Sequence, residues 1–170
     1  MDAVEVTTVV YLPREEVYEF LVYFPNYARY SKHLEDVDID GDGSPGTEYA
    51  LHFTWWKLSY TARSEVTEVT PPERIDWRLT KDLDATGYWH VEAVDPPEDR
   101  EVATRVTMRA EYHPDSANED AIDLPRLVSW DWVFEKLEPK IHEEAERVVR
   151  RIVRDLEGED RDVELTIDAF

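Results

Sequence analysis

The residues best suited to hold a ligand are bulky, apolar and mostly aromatic. Alternation along the middle of the chain puts Tyr49, Phe53, Trp55, Tyr60, Trp77, Trp89, Met108 and Tyr112 on one face of successive strands, and Trp130 and Phe134 fall on an apolar helical stripe further on. Rings of this size, with the phenols of Tyr49, Tyr60 and Tyr112 and the indole N–H groups as polar handles, suit an apolar site with a few orienting groups. Each is equally a candidate for plain core packing. Two chemistries are open to the set. One is burial of an apolar molecule whose polar end meets a phenol. The other is catalysis, in which a pocket folds a flexible chain and phenols polarise a carbonyl for aldol closure or water loss.

Other chemistries find less support. The 5 His residues, His33, His52, His90, His113 and His142, form no His-Glu-x-x-His or comparable ligand spacing, so no metal site is expected. His52 and His90 alternate onto the outer face, away from the aromatic set, and His142 is expected in solvent. Carboxylates are too numerous for any pair to stand out as acid and base. Gly41 to Gly46 lacks the Lys and the strand-to-helix setting of a phosphate loop. No serine has a nucleophile context, and no triad is found. With Cys 0, disulfides, thiolate metal sites and a Cys nucleophile are excluded. No cofactor is expected.

The charge balance is extreme, with Asp+Glu 40 against Lys+Arg 19 and a formal net charge of -21. The acidic residues are spread along the chain. Self-repulsion of that kind is tolerated where concentrated salt shortens the Debye length to a few Å, so a salt-rich cytoplasm is the leading explanation, with docking of a basic partner as the alternative. Nucleic-acid binding is disfavoured, as is attachment to anionic membranes. No basic, apolar leader or run of about 18 apolar residues is present, so a soluble cytoplasmic protein without stable membrane insertion is expected, as a monomer or weak homodimer.

The elements that must position the aromatic set follow from period and punctuation. Val4 to Leu12 reads as a strand, and Pro13 followed by Arg14-Glu15-Glu16 opens a helix with Val17, Phe20, Leu21 and Phe24 on one side. Pro25 ends it, and a second short helical turn is expected over Asn26 to Ser31. Strands are then expected at 35–40, 46–56, 58–70, 74–80, 86–94 and 102–113, separated by glycine- or proline-bearing loops and one polar link. One face is apolar and the other wet. Adjacent Trp55 and Trp56 point opposite ways, which leaves Trp56 outside, covered by the tail or another subunit or simply exposed. From Leu127 through Trp130, Phe134, Leu137, Ile141, Ala145, Val148 and Ile152 to Leu156, apolar residues recur every three or four positions. A kink or restart is expected at Pro139 and a stop at Gly158. The expected domain spans 1–157, with 158–170 as an edge strand or a frayed end.

An apolar sheet face needs a cover, and the C-terminal helix is long enough to supply it. With that order of elements, the segments Tyr11-Leu12-Pro13-Arg14-Glu15-Glu16-Val17-Tyr18-Glu19-Phe20-Leu21, Pro71-Pro72-Glu73-Arg74-Ile75-Asp76-Trp77 and Thr104-Arg105-Val106-Thr107 make the chain resemble the START-like (SRPBCC) helix-grip superfamily over roughly 3–157. Within it, the resemblance is to the polyketide cyclase/dehydrase and lipid-transport group. It implies an α+β fold, a curved antiparallel sheet of six to seven strands around a long C-terminal helix, with two short helices after strand 1. It also implies a cavity between sheet and helix for a lipid, quinone, isoprenoid or polyketide-like molecule. The family includes enzymes, carriers and sensors without a universal catalytic motif. Three readings therefore stand: a binding or carrier protein, a cyclase or dehydratase of polyketide type, and a fully packed interaction module without ligand.

Overall fold

A computed structural model of the chain describes residues 2–23, 25–26, 30–55, 58–116, 118 and 130–169; the side chains of 114, 130, 131, 133–135, 137, 138 and 141 lie outside the description. The elements are β1 (Asp2–Val10), α1 (Arg14–Val22), β2 (Leu34–Asp40), β3 (Glu48–Trp55), β4 (Leu58–Thr70), β5 (Arg74–Leu79), β6 (Asp84–Val94), β7 (Ala103–His113), α2 (Trp130–Glu157) and β8 (Thr166–Ala169). The expected second helical turn falls largely on residues outside the description, as does Trp56.

The strands form one eight-stranded sheet in the order β2-β3-β4-β5-β6-β7-β1-β8, antiparallel throughout. The middle is a meander whose links are short enough to require antiparallel neighbours. The eighth strand is the correction to the expected six or seven: the C-terminal tail is an edge strand on β1, with Val6 opposite Ile167. That edge is the far one from β2 and β3.

Period two sorts the side chains as alternation requires. Tyr49, Leu51, Val66, Ile75, Val91 and Val106 from the strands join Val17, Tyr18 and Leu21 of α1 and Val153 of α2 in one buried cluster. The apolar sheet face is thus covered by α1 and by the C-terminal half of α2. Pro13 starts α1, its carbonyl accepting from Glu16 and Val17 N–H at 3.1 and 3.3 Å, and Glu15 and Glu16 occupy the first turn, where the helix dipole favours acidic side chains. α2 does not restart at Pro139, which sits inside one continuous 28-residue helix: proline removes one amide donor, and the flanking turns carry the helix across it. Gly158 ends α2 with φ 82°, the left-handed conformation glycine adopts without a Cβ penalty, as its N–H closes on the Arg154 carbonyl at 2.9 Å.

Beyond Gly158 the tail is tied down by Arg161. Its guanidinium donates to Glu157 Oε1 at 2.7 Å and Oε2 at 2.8 Å, and to the Val9 carbonyl at 3.0 Å. It also stacks 4.2 Å from the Tyr11 ring centre, and Arg100 lies 4.5 Å from the same ring. The Glu157 side chain is 3% exposed and also accepts from the Tyr11 amide at 2.9 Å. Buried charge is tolerated here because every carboxylate oxygen has a donor.

Candidate functional site: two apolar chambers in line

The inner face of the β3–β4 hairpin sets the axis of the site. Reading inward to outward, Tyr49 pairs with Ser64, Leu51 with Ala62, Phe53 with Tyr60 and Trp55 with Leu58. From Tyr49 to Phe53 the strand advances about 13 Å. A chamber lies at each end of this ladder.

The inner chamber has a volume of about 190 Å³ and is lined by Leu21, Val22, Tyr49, Leu51, Ser64, Val66, Ile75, Trp77, Leu79, Trp89 and Met108. Its lining is almost wholly apolar, as a site for an apolar molecule requires. Ser64 is its small polar group. The Tyr49 hydroxyl donates to the Val22 carbonyl at 3.2 Å, which holds the C-terminal end of α1 against β3 and leaves the phenol oxygen able only to accept. Trp77 takes its place because of Gly87: the two residues face each other across β5 and β6, and a Cβ at position 87 would overlap the indole of Trp77 and the Arg109 carbonyl. Glycine removes that collision and lets the ring lie across the neighbouring strand.

The outer chamber, about 390 Å³, is lined by Ser31, His33, Phe53, Thr54, Trp55, Leu58, Ser59, Tyr60, Lys140 and Glu144. Phe53 is 38% exposed, a large ring left without a full cover. Around it the polar groups are mostly engaged. Glu144 accepts from Ser31 Oγ at 3.1 Å, from the Lys32 amide at 3.2 Å and from the Arg147 guanidinium at 2.5 Å. Burial pushes its carboxyl up, but these donors outweigh burial and hold it below the usual range. His33 Nδ1 lies 3.3 Å from the Thr54 carbonyl; a carbonyl only accepts, so Nδ1 is the donor in this contact. The Tyr60 hydroxyl donates to Asp82 Oδ2 at 2.9 Å. Burial first, and the Asp82 carboxylate second, push its phenol up to about 12.

Of the residues expected to line a site, Tyr49, Trp77, Trp89 and Met108 meet at the inner chamber and Phe53, Trp55 and Tyr60 at the outer one. Tyr112 lines neither. It sits near the end of β7, paired with Asp2 and Ala85, past the reach of the hairpin axis. The side chains of Trp130 and Phe134 lie outside the described residues. Sequence reasoning missed Leu21 and Val22, which enter from α1, and Ser31, His33, Lys140 and Glu144 at the outer rim. Helical spacing offered a signal for Leu21. None existed for Ser31 and His33, which sit in the connector before β2. His52 holds the outer face, its ring nitrogens 2.9 Å from Thr61 Oγ1 and from Asp38 Oδ2. Among the described residues no group of three His, Cys, Asp or Glu side chains is placed to hold a metal ion, and no helix is long and apolar enough to cross a membrane.

Comparison with known proteins fits this geometry. The family model described as polyketide cyclase / dehydrase and lipid transport matches residues 1–156. No curated protein matches the chain. Among solved structures, the Zhui aromatase/cyclase from Streptomyces sp. R1128 superposes with a TM-score of 0.62 at 19% identity, covering 92% of this chain and 94% of that one. A START superfamily protein from Mycobacterium smegmatis gives 0.62 at 15% identity, covering 92% and 99%. Truncated norcoclaurine synthase from Thalictrum flavum gives 0.54 at 13% identity, covering 89% and 94%. At these identities the likeness is one of fold.

Proposed function

The chain belongs to the polyketide cyclase / dehydrase and lipid transport family, and from that premise we propose that it binds and carries a hydrophobic small molecule between the sheet and the helices. The observation that carries this reading is the inner chamber, an apolar space of about 190 Å³ bounded, among the described residues, by Trp77, Trp89, Met108 and the β3–β4 hairpin. Well-packed interiors leave few voids larger than a water molecule, so the chamber counts against a fully packed interaction module. Catalysis of polyketide type would ask for a base beside the bound chain. Among the described residues the polar side chains lining the inner chamber are Ser64 and Tyr49, and the Tyr49 proton is committed to Val22. That supports binding over turnover.

The test is a titration with N-phenyl-1-naphthylamine, a neutral probe that brightens in apolar surroundings. Wild type should bind it saturably. Val66→Phe, which fills the inner chamber from its floor, should weaken binding roughly tenfold or more, the scale set by losing about 1.4 kcal/mol of apolar burial. Equal binding by both proteins would place the probe elsewhere and remove the basis for the reading.

A further inference from the structure

Resting on that reading, we propose that the inner chamber takes a neutral one- or two-ring ligand bearing an oxygen, a hydroxyl or carbonyl, which Ser64 Oγ holds by a hydrogen bond. The observation is a serine where the strand pattern calls for an apolar residue. Leu58, Tyr60, Ala62 and Val66 share the inner face of β4 with it, and its neighbours in register are Tyr49 on β3 and Leu79 on β5. Ser64 and both neighbours line the chamber. Ser64 is 8% exposed, yet no hydrogen bond reaches its Oγ among the described residues. Nor is that oxygen sealed: the sealed side-chain polar atom without a partner among those residues is the Tyr18 hydroxyl. The Ser64 hydroxyl therefore opens onto the chamber it lines.

The wall around that hydroxyl decides what meets it. Water fills so apolar a space badly. An anionic group is a worse occupant: among the described residues no cationic side chain lines the chamber, and an unpaired charge out of water is strongly disfavoured. A neutral oxygen meets neither objection. Its bond to Ser64 satisfies the hydroxyl that the fold leaves open, and Trp77, Trp89 and Met108 supply flat, polarisable walls for the ring that carries it. At about 190 Å³ the space is somewhat larger than the ~150 Å³ apolar cavity that accepts benzene, which sets the ring count.

Calorimetry with three ligands that share a ring system tests this: 2-naphthol, 2-methylnaphthalene and 2-naphthoate, at neutral pH and a salt at which circular dichroism shows the native fold. Wild type should bind the first two, and should bind 2-naphthoate about tenfold or more weakly than 2-naphthol. Ser64→Ala should weaken 2-naphthol about fivefold relative to 2-methylnaphthalene, the scale of one neutral hydrogen bond. It should not lower the melting midpoint of the ligand-free protein, since the hydroxyl it removes has no protein partner. An unchanged ratio overturns the Ser64 anchor and leaves the carrier reading standing, as does a fall in that midpoint. Equal affinity for 2-naphthoate and 2-naphthol overturns the neutral ligand. Binding of neither neutral naphthalene overturns this proposal alone where N-phenyl-1-naphthylamine still binds, and the carrier reading with it where that probe fails too.

Discussion

The indole of Trp77 lies across the backbone of Gly87 on the adjacent strand, so close that any Cβ at position 87 would overlap the ring. One residue without a side chain thereby sets the position of an aromatic wall of the inner chamber. Gly87→Ala should displace Trp77 and cost about 1–3 kcal/mol, as overpacking of a fitted site does. Denaturant melts and the tryptophan emission maximum measure both effects. Combining it with Trp77→Leu, which removes the ring, should recover most of the lost stability; no recovery would mean that the Arg109 carbonyl, and not the indole, sets the cost.

Tyr18 presents the opposite situation, a hydroxyl buried without a hydrogen-bond partner among the described residues in a residue only 7% exposed. Burial pushes its phenol up. An unsatisfied buried hydroxyl costs about 1–3 kcal/mol, so Tyr18→Phe should leave the protein as stable or raise its melting midpoint. A clear loss of stability would show that the hydroxyl does have a partner in solution.

The Tyr60–Asp82 bond makes a prediction at high pH. With the folded phenol near 12 against an ordinary value of about 10, the native state holds its proton while the unfolded state releases it. The stability from this group is therefore fully present below about pH 10 and lost as pH rises toward 12. Phenolate absorbance should show Tyr60 titrating late, beside the buried Tyr18, and Asp82→Asn should bring Tyr60 to lower pH. The order of causes, burial before Asp82, predicts only a partial return.

At the acid end the tail latch contributes with the opposite sign. Burial alone would raise Glu157, but Arg161, the Tyr11 amide and Arg100 bring it below its ordinary value. The native carboxylate thus binds fewer protons than the unfolded one, and its contribution is present above about pH 4.5 and lost as pH falls through the lower folded value. Glu157→Gln should flatten that acid slope in a series of denaturant melts. Arg161→Ala, which leaves the buried carboxylate short of its partner, should cost about 3–5 kcal/mol and free β8 from β1, readable as lost amide protection over 166–169.

The strands were legible because their inner and outer residues alternate along most of their length, with Tyr49-Leu51, Ile75-Trp77 and Val106-Met108 on the face that alternation assigns and register shifts only at Leu34/Asp36 and Val66/Glu68 among the described residues. The tail was ambiguous because the alternation from Val163 to Phe170 fits an edge strand and a frayed end alike; its anchor is tertiary, through Arg161, Glu157 and Tyr11. The site was legible in part for the same reason. Period two identifies a face but not how far along it a cavity extends, so Tyr112 shared the face of Met108 yet lies beyond both chambers. The rim residues His33, Lys140 and Glu144 come from a connector and a helix, and neither pattern says which sheet edge they meet. Their role emerges from packing alone.

Native mass spectrometry of the full chain after incubation with a total lipid extract tests the central claim most directly, with Val66→Phe run in parallel. Wild type should retain one apolar molecule per chain, released by organic solvent, and the variant, whose inner chamber is filled, should fly as the bare chain. A bare wild-type chain with its native circular dichroism intact, or an equal adduct on both proteins, would contradict the account of this chamber as the ligand's seat.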